Sequence, residues 1–134
     1  MNIYLDIDGV LLTKSLTPAN YVRDFLEWAL KNHDAYWLTT RCKGDAHATF
    51  LSIARHFEPE VHPFLQKIKP TNWETLKTEG IDMNSDFLWF DDYVMQAELQ
   101  VLSQAKKTQS LIMIDLQKEP DSLKRCLELD RIVG

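Results

Sequence analysis

The sequence predicts an α/β fold in which helices cover both faces of a mostly parallel sheet of about five strands, a three-layer sandwich. Short apolar runs rich in strand formers alternate with segments of helical periodicity along the chain. Acidic or hydroxyl side chains directly follow several of these runs. Because parallel neighbours need crossover helices, this alternation is typical of a doubly wound, Rossmann-like sheet. With 134 residues and no repeat or Gly/Ser linker, we expect a single domain, residues 1–134.

The strands are predicted at four short runs of apolar residues, which are bounded by polar or turn-forming residues. These runs are residues 2–7, 35–39, 86–90 and 110–115. The segment 58–69 is ambiguous, and its VHPFLQKI stretch favours a short edge strand. Pro63 has no backbone donor, so it would be poorly placed in a central strand.

The first two helices are predicted from their starting residues and their apolar faces. One covers residues 17–34, with Thr17 as the cap and Pro18 in the first turn. A second begins at Gly44 and Asp45. Each has apolar residues at helical spacing, so each can pack on the sheet.

Three further helices are predicted after residue 70. Thr71 and Glu74 have the spacing of a capping box, so a helix is expected over residues 71–80. Another is expected over 94–105, and the last begins near Pro120. Together these helices would complete the two outer layers.

Composition and charge exclude several classes of protein. The net charge is −5, so there is no strong electrostatic footprint for nucleic acid. No apolar run is long enough to span a membrane, and the acidic, apolar N-terminus does not fit a signal peptide. The widely separated Cys42 and Cys126 form no CxxC motif and are interpreted as reduced thiols. These features predict a cytoplasmic protein.

Four carboxylates are expected at one edge of the sheet. Asp6 and Asp8 end the first run, and residues two apart in a strand point the same way, roughly 7 Å apart. Asp91 and Asp92 end the run near residue 90. Ligands bind at the carboxyl ends of strands in such sheets. Clustered carboxylates repel one another unless a cation joins them, so we predict a Mg²⁺ site.

Cationic and hydroxyl groups complete the predicted site. Thr39 ends the second run and is the preferred hydroxyl, with Thr40 as the alternative. Arg41 follows them, and its side chain either binds substrate phosphate or stays solvated. Lys69 precedes a predicted helix and is the preferred lysine; Lys77 and Lys67 are its alternatives. Carboxylates, a metal, a lysine and a hydroxyl together describe a phosphoryl-transfer site.

Four motifs in order resemble those of the haloacid dehalogenase-like (HAD) superfamily. They are DIDGVLL after the first strand, WLTT after the second, KP before a helix and WFDD after a later strand. The resemblance runs from residue 3 to about residue 115. It implies a phosphatase that works through an aspartyl-phosphate.

The resemblance assigns a role to each acid. Asp6 matches the nucleophile, and Asp8 matches the general acid and base. Mg²⁺ would be held by the carboxylates of Asp6 and Asp91 and by the Asp8 carbonyl, with Asp92 acting through water or supporting a ligand. The substrate is expected to be a phosphorylated small molecule or macromolecule.

The resemblance also assigns the neutral and basic residues. Thr39 matches the hydroxyl that orients the phosphoryl group, and Lys69 matches the lysine that neutralises it. Gly9 suits the tight turn past the acids, and Thr40 and Arg41 are placed with it in substrate binding.

The gaps between motifs are too short for the cap domain that many family members carry, so a capless type is expected. Capless relatives often act on phosphates of large molecules, and WLTTRCKGD is similar to small HAD domains associated with RNA-repair proteins. Two alternatives are a phospho-receiver domain and a catalytically inactive module that binds phosphate or metal. The D-x-D spacing of the first acids disfavours the receiver.

Overall fold

The central element is a parallel sheet of four strands, seen in a computed structural model that describes residues 1–128. The strands are β1 (Asn2–Leu5), β2 (Asp34–Trp37), β3 (Phe87–Asp91) and β4 (Leu111–Met113). Their order across the sheet is β2-β1-β3-β4, and each neighbouring pair is parallel. The α/β fold with a parallel sheet is therefore confirmed.

Two hydrophobic clusters cover the two faces of this sheet. Ile3 and Leu5 of β1 point into one cluster, whereas Tyr4 points into the other, as the alternation along a strand requires. The helices are α1 (Val22–Lys31), α2 (Ala46–Ile53), α3 (His62–Leu65), α4 (Gln96–Gln104) and α5 (Ser122–Cys126). The first cluster includes residues of α1, α2, α3 and α5, and the second includes Leu102 of α4. Within residues 1–128, no helix combines the length and apolarity needed to cross a membrane.

The sheet has four strands among the described residues, where about five were predicted. The ambiguous segment instead forms a 3₁₀ turn, Pro59–Val61, followed by α3. Only Lys69 reaches the sheet edge, as an isolated bridge to Tyr36 of β2. Pro63 lies inside this segment without a backbone donor, which favours the short helix over an extended ladder.

The helix predicted over residues 71–80 is present only as a 3₁₀ turn, Lys77–Gly80. Thr71 does not cap it, because its hydroxyl donates to the Trp37 carbonyl. The Glu79 carboxylate accepts the backbone N–H groups of residues 74, 75 and 76. Side-chain acceptors of this kind compete with helical bonding, so the chain approaches Lys77 as a loop.

The first helix begins at Val22, later than predicted. Thr17 lies in the preceding loop, where its hydroxyl bonds that of Thr13 at 2.6 Å instead of capping a helix. Asp34, predicted as the end of this helix, is the first residue of β2. The second helix begins where it was predicted, after Asp45, whose carboxylate caps α2 by accepting the Ala48 N–H.

Candidate active site

The site is built at the carboxyl ends of the two central strands. Asp6 directly follows β1, and Asp91 is the last residue of β3. These strands are neighbours, and the Asp6 N–H donates to the Phe90 carbonyl at 3.1 Å. Asp6 is 7% exposed and Asp91 is fully buried, so two carboxylates lie side by side away from bulk water.

Lys77 joins these two carboxylates. Its ammonium lies 2.7 Å from Asp91 Oδ2 and 3.4 Å from Asp6 Oδ2. Asp91 Oδ2 also accepts the Trp89 indole N–H, while its Oδ1 accepts the backbone N–H groups of Asp92 and Tyr93. Asp91 is therefore held on all sides, and one lysine compensates two buried acids.

The charges in this cluster perturb one another. Burial, reinforced by the charge of Asp91, raises the pKa of the Asp6 carboxyl to about 7, although Lys77 opposes the shift. The pKa of the Asp92 carboxyl is also raised, because that carboxyl is partly buried and contacts Asp91. Burial alone would lower the pKa of Lys77, but Asp6 and Asp91 together raise it. Negative charge is thus in excess, and a further cation would relieve it.

Three carboxylates fit the predicted metal. One oxygen each from Asp6, Asp91 and Asp92 can be chosen so that all lie within 4.8 Å of one another. Oxygen donors of this type suit Mg²⁺, and such an ion would balance the charge of carboxylates that lie this close together. The donor set therefore fits a hard divalent cation. Its identity as Mg²⁺ stays a prediction.

Asp8 faces a different partner from the other acids. Arg41 Nε donates to Asp8 Oδ2 at 2.8 Å, and a second guanidinium nitrogen donates to Oδ1 at 3.0 Å. This bidentate pairing lowers the pKa of the Asp8 carboxyl. Arg41 thus lies at the site, where it contacts Asp8, and its role in substrate binding stays a prediction.

Gly9 provides the space in which Asp92 lies. Its φ of +84° belongs to the left-handed region, and a Cβ built there would lie 2.2 Å from Asp92 Oδ2. Any side chain at this position would displace the Asp92 carboxylate. Gly9 therefore shapes the acidic cluster directly, beyond the turn for which it was predicted.

The two threonines after β2 differ in exposure. Thr39 is fully buried, and its hydroxyl accepts the Arg41 backbone N–H at 3.2 Å. Thr40 is exposed and lines the cavity that contains Asp6 and Asp8. The alternative hydroxyl, Thr40, is therefore the one at the cavity surface, and Thr39 supports the loop that carries Arg41.

The prediction that Lys69 is the active-site lysine is wrong, because Lys69 does not lie near the acids. Its ammonium lies 3.1 Å from Asp34, the first residue of β2, whereas the acids follow the carboxyl ends of the strands. The bridge to Tyr36 holds Lys69 beside β2 and away from them. Lys67 is exposed. Lys77, the alternative, contacts the acids because the loop before it turns back toward the sheet.

A cavity of about 440 Å³ opens onto the acids and Lys77. It also includes five residues that were not predicted as site residues: Trp73, Thr75, Tyr93, Met95 and Glu98. Tyr93 follows the WFDD motif directly, so its position was readable from the sequence. Glu98 gave a weaker signal, an acid in the first turn of the helix after that motif.

The fold and the site define an α/β protein with a buried acid pair, a bridging lysine and an adjoining carboxylate and arginine. In comparisons with known proteins, no family model, curated protein or solved structure matches this chain. The resemblance to the HAD superfamily therefore rests on the sequence motifs alone, and the KP motif does not support it here, because Lys69 lies away from the acids.

Proposed function

We propose that this protein is a Mg²⁺-dependent phosphomonoester hydrolase of the HAD type, with Asp6 as the nucleophile. The observation that carries the proposal is the position of Lys77, whose ammonium lies 3.4 Å from Asp6 and 2.7 Å from Asp91. A phosphoryl group attacked by Asp6 would lie next to the positively charged ammonium of Lys77. Preorganised charge of this kind is the main catalytic device in phosphoryl transfer.

The reaction proceeds in two steps. The Asp6 carboxylate attacks phosphorus, the bond from phosphorus to the ester oxygen breaks, and Asp8 donates a proton to that oxygen. Water then attacks the phosphorus of the aspartyl-phosphate while Asp8 takes its proton, which releases inorganic phosphate and restores Asp6. Asp8 alternates between acid and base, as covalent catalysis with one positioned carboxyl requires.

The acidic cluster holds the metal in this proposal. Asp6, Asp91 and Asp92 would supply its carboxylate oxygens. The resemblance adds the Asp8 carbonyl as a further ligand. When bound, Mg²⁺ neutralises charge on these carboxylates and on the phosphoryl oxygens. Gly9 keeps Asp92 in place because its lack of a side chain leaves room for that carboxylate.

Arg41 controls the protonation of Asp8. Its bidentate contact keeps Asp8 ionised in the absence of substrate. A phosphate dianion offers the same guanidinium a bidentate partner of higher charge. Binding of the phosphate would draw Arg41 away from Asp8, whose carboxyl would then be able to hold the proton that the leaving oxygen needs.

The proposed substrate is a phosphate on a large molecule, including a nucleic-acid end. Residues 38–86, which connect β2 to β3, form short helices and turns and contain no strand. The described chain therefore places no second folded unit over the acids, and a bulky substrate can approach.

Cys42 and Cys126 are free and buried, which supports a reducing, cytoplasmic location.

Hydrolysis of an aryl phosphate with and without Mg²⁺ tests the proposal. We expect phosphate release that depends on Mg²⁺ and falls about 10³-fold or more in Asp6→Asn. Lys69→Met is the matched control, since that lysine pairs with Asp34 instead of the acids, and it retains activity. Full activity in Asp6→Asn or in excess chelator would contradict the proposal. Stable phosphorylation without turnover would point to a receiver.

A further inference from the structure

We propose that Glu98 is a positioning residue that sets the place of Lys77 beside Asp6, an inference whose catalytic consequence rests on the proposed phosphatase function. Glu98 lies in the first turn of α4 and is 2% exposed. Carboxylates are almost never buried to this degree unless they are paired. Its partners therefore indicate what it does.

Both carboxylate oxygens of Glu98 are used by backbone donors. Oε2 accepts the Lys77 N–H at 2.7 Å, and Oε1 accepts the Met95 N–H at 2.9 Å. Among residues 1–128, no cation forms an ion pair with Glu98. Charge-assisted bonds to two N–H groups compensate its burial, and they tie the Lys77 backbone to the start of α4.

The loop that carries Lys77 depends on such contacts. Four consecutive N–H groups are satisfied by carboxylates, those of residues 74, 75 and 76 by Glu79 and that of Lys77 by Glu98. No sheet ladder or α-helix holds this stretch, since Lys77 opens a 3₁₀ turn. Glu79 is exposed, so the buried anchor of the loop is Glu98.

The position of the Lys77 backbone determines whether its ammonium reaches both acids. The contact with Asp91 is close at 2.7 Å, but that with Asp6 is already 3.4 Å. A further shift would separate the ammonium from the proposed nucleophile, and displacements of about 1 Å at reacting groups cost up to about 100-fold in rate. Glu98 thus acts on the reaction through Lys77, since both of its carboxylate oxygens are bonded to backbone N–H groups.

Glu98→Gln separates this role from ordinary helix capping. Glutamine keeps the shape of Glu98 but puts an NH₂ donor where one carboxylate oxygen lies, so one of the two N–H groups loses its acceptor at that position. We expect kcat to fall by about 10-fold to 100-fold with KM changed less than about twofold. Asp45→Ala is the control, because it removes a carboxylate that caps α2 through the Ala48 N–H, and we expect it to leave kcat unchanged.

A double-mutant cycle provides the decisive comparison. If Glu98 acts through Lys77, Glu98→Gln lowers kcat in the wild-type background and changes it less than about twofold in Lys77→Met. Equal effects of Glu98→Gln in the two backgrounds would overturn the proposal. Circular dichroism on each variant establishes that it is folded.

A second readout does not depend on activity. In the wild type, the Lys77 side chain is 13% exposed, so an amine-acylating reagent should label it slowly. We expect Glu98→Gln to raise the labelling rate at Lys77 severalfold, as measured by mass spectrometry, and Asp45→Ala to leave it unchanged. An unchanged rate in Glu98→Gln would overturn the positioning role. Absence of phosphatase activity in the wild type would overturn the proposed function, while the labelling would still decide the role of Glu98.

Discussion

The ammonium of Lys77 lies 2.7 Å from the carboxylate of Asp91, and the same ammonium lies 3.4 Å from Asp6. This one lysine balances two buried acids that belong to neighbouring strands. The stability, the pH response and the proposed chemistry of the site all depend on that relationship.

Removal of the lysine should destabilise the fold. We expect Lys77→Met to lower the free energy of unfolding by about 3 kcal/mol at pH 8, because two buried carboxylates lose their counter-charge. The loss should be smaller at pH 5, where Asp6 can take up a proton. Urea denaturation measures both values. Lys69→Met, which breaks an exposed pair, should leave stability unchanged, and an equal loss in both variants would contradict this account.

The pKa of Asp6 makes stability depend on pH. The pKa of Asp6 is about 7 in the folded protein and 3.8 when the carboxyl is unperturbed, as in an unfolded chain. Between these two pH values the native protein therefore binds more protons than the unfolded chain. Stability from Asp6 is therefore present below about pH 4 and lost as the pH rises through 7, by up to about 4 kcal/mol. The comparison is between wild type and Asp6→Asn, both unfolded by urea in chelator from pH 4 to 8.

In Asp6→Asn this loss of stability should disappear. Asp92, whose pKa is also raised, contributes in the same direction and remains in the variant. The difference between the two curves therefore isolates Asp6. Parallel curves for wild type and variant would show that Asp6 does not carry the pH dependence. Saturating Mg²⁺ should flatten the wild-type curve if the metal binds ionised Asp6.

Gly9 should be intolerant of a side chain. In Gly9→Ala the new Cβ would lie 2.2 Å from Asp92 Oδ2, in addition to the strain at a φ of +84°. Gly44→Ala is the matched control, since its φ is +87° but the nearest atom, in Asn72, is 3.8 Å away. We expect Gly44→Ala to cost roughly 1–2 kcal/mol through the backbone alone, and Gly9→Ala to cost about 1 kcal/mol more.

The two glycine variants should also differ in metal binding. Calorimetric titration with Mg²⁺ should give at least about tenfold weaker binding for Gly9→Ala and unchanged binding for Gly44→Ala, because only the first displaces a carboxylate of the cluster. Equal affinities in the two variants would show that Asp92 does not support the metal.

Arg41 should affect both substrate binding and Asp8. We expect Arg41→Met to raise KM for a phosphomonoester about tenfold, because a bidentate phosphate partner is lost. It should also move the alkaline limb of the pH profile of kcat/KM to higher pH, because the contact that lowers the pKa of Asp8 is removed. Arg23→Met is the control, since this exposed arginine pairs with Glu60 instead of the acids of the site. An unchanged KM in Arg41→Met would contradict this role.

The sequence by itself determined the parallel α/β architecture and placed Asp6 and Asp91 at the carboxyl ends of strands, whereas the structure shows that these two strands are neighbours. Both follow from local patterns, because apolar runs specify buried strands and the chain order of alternating strands and helices constrains their direction. Gly9 was identified in the same way, from its position directly after the acids.

Only the tertiary structure decided which lysine meets the acids and which threonine reaches the cavity. Lys69 and Lys77 both belong to the connection between β2 and β3. The bridge to Tyr36 keeps Lys69 beside β2, away from the acids. The backbone of Lys77 is instead bonded to Glu98, near the acids. The segment around Pro63 likewise became a helix and not a fifth strand. These outcomes depend on contacts between residues far apart in the chain, which the periodicity of a sequence does not contain.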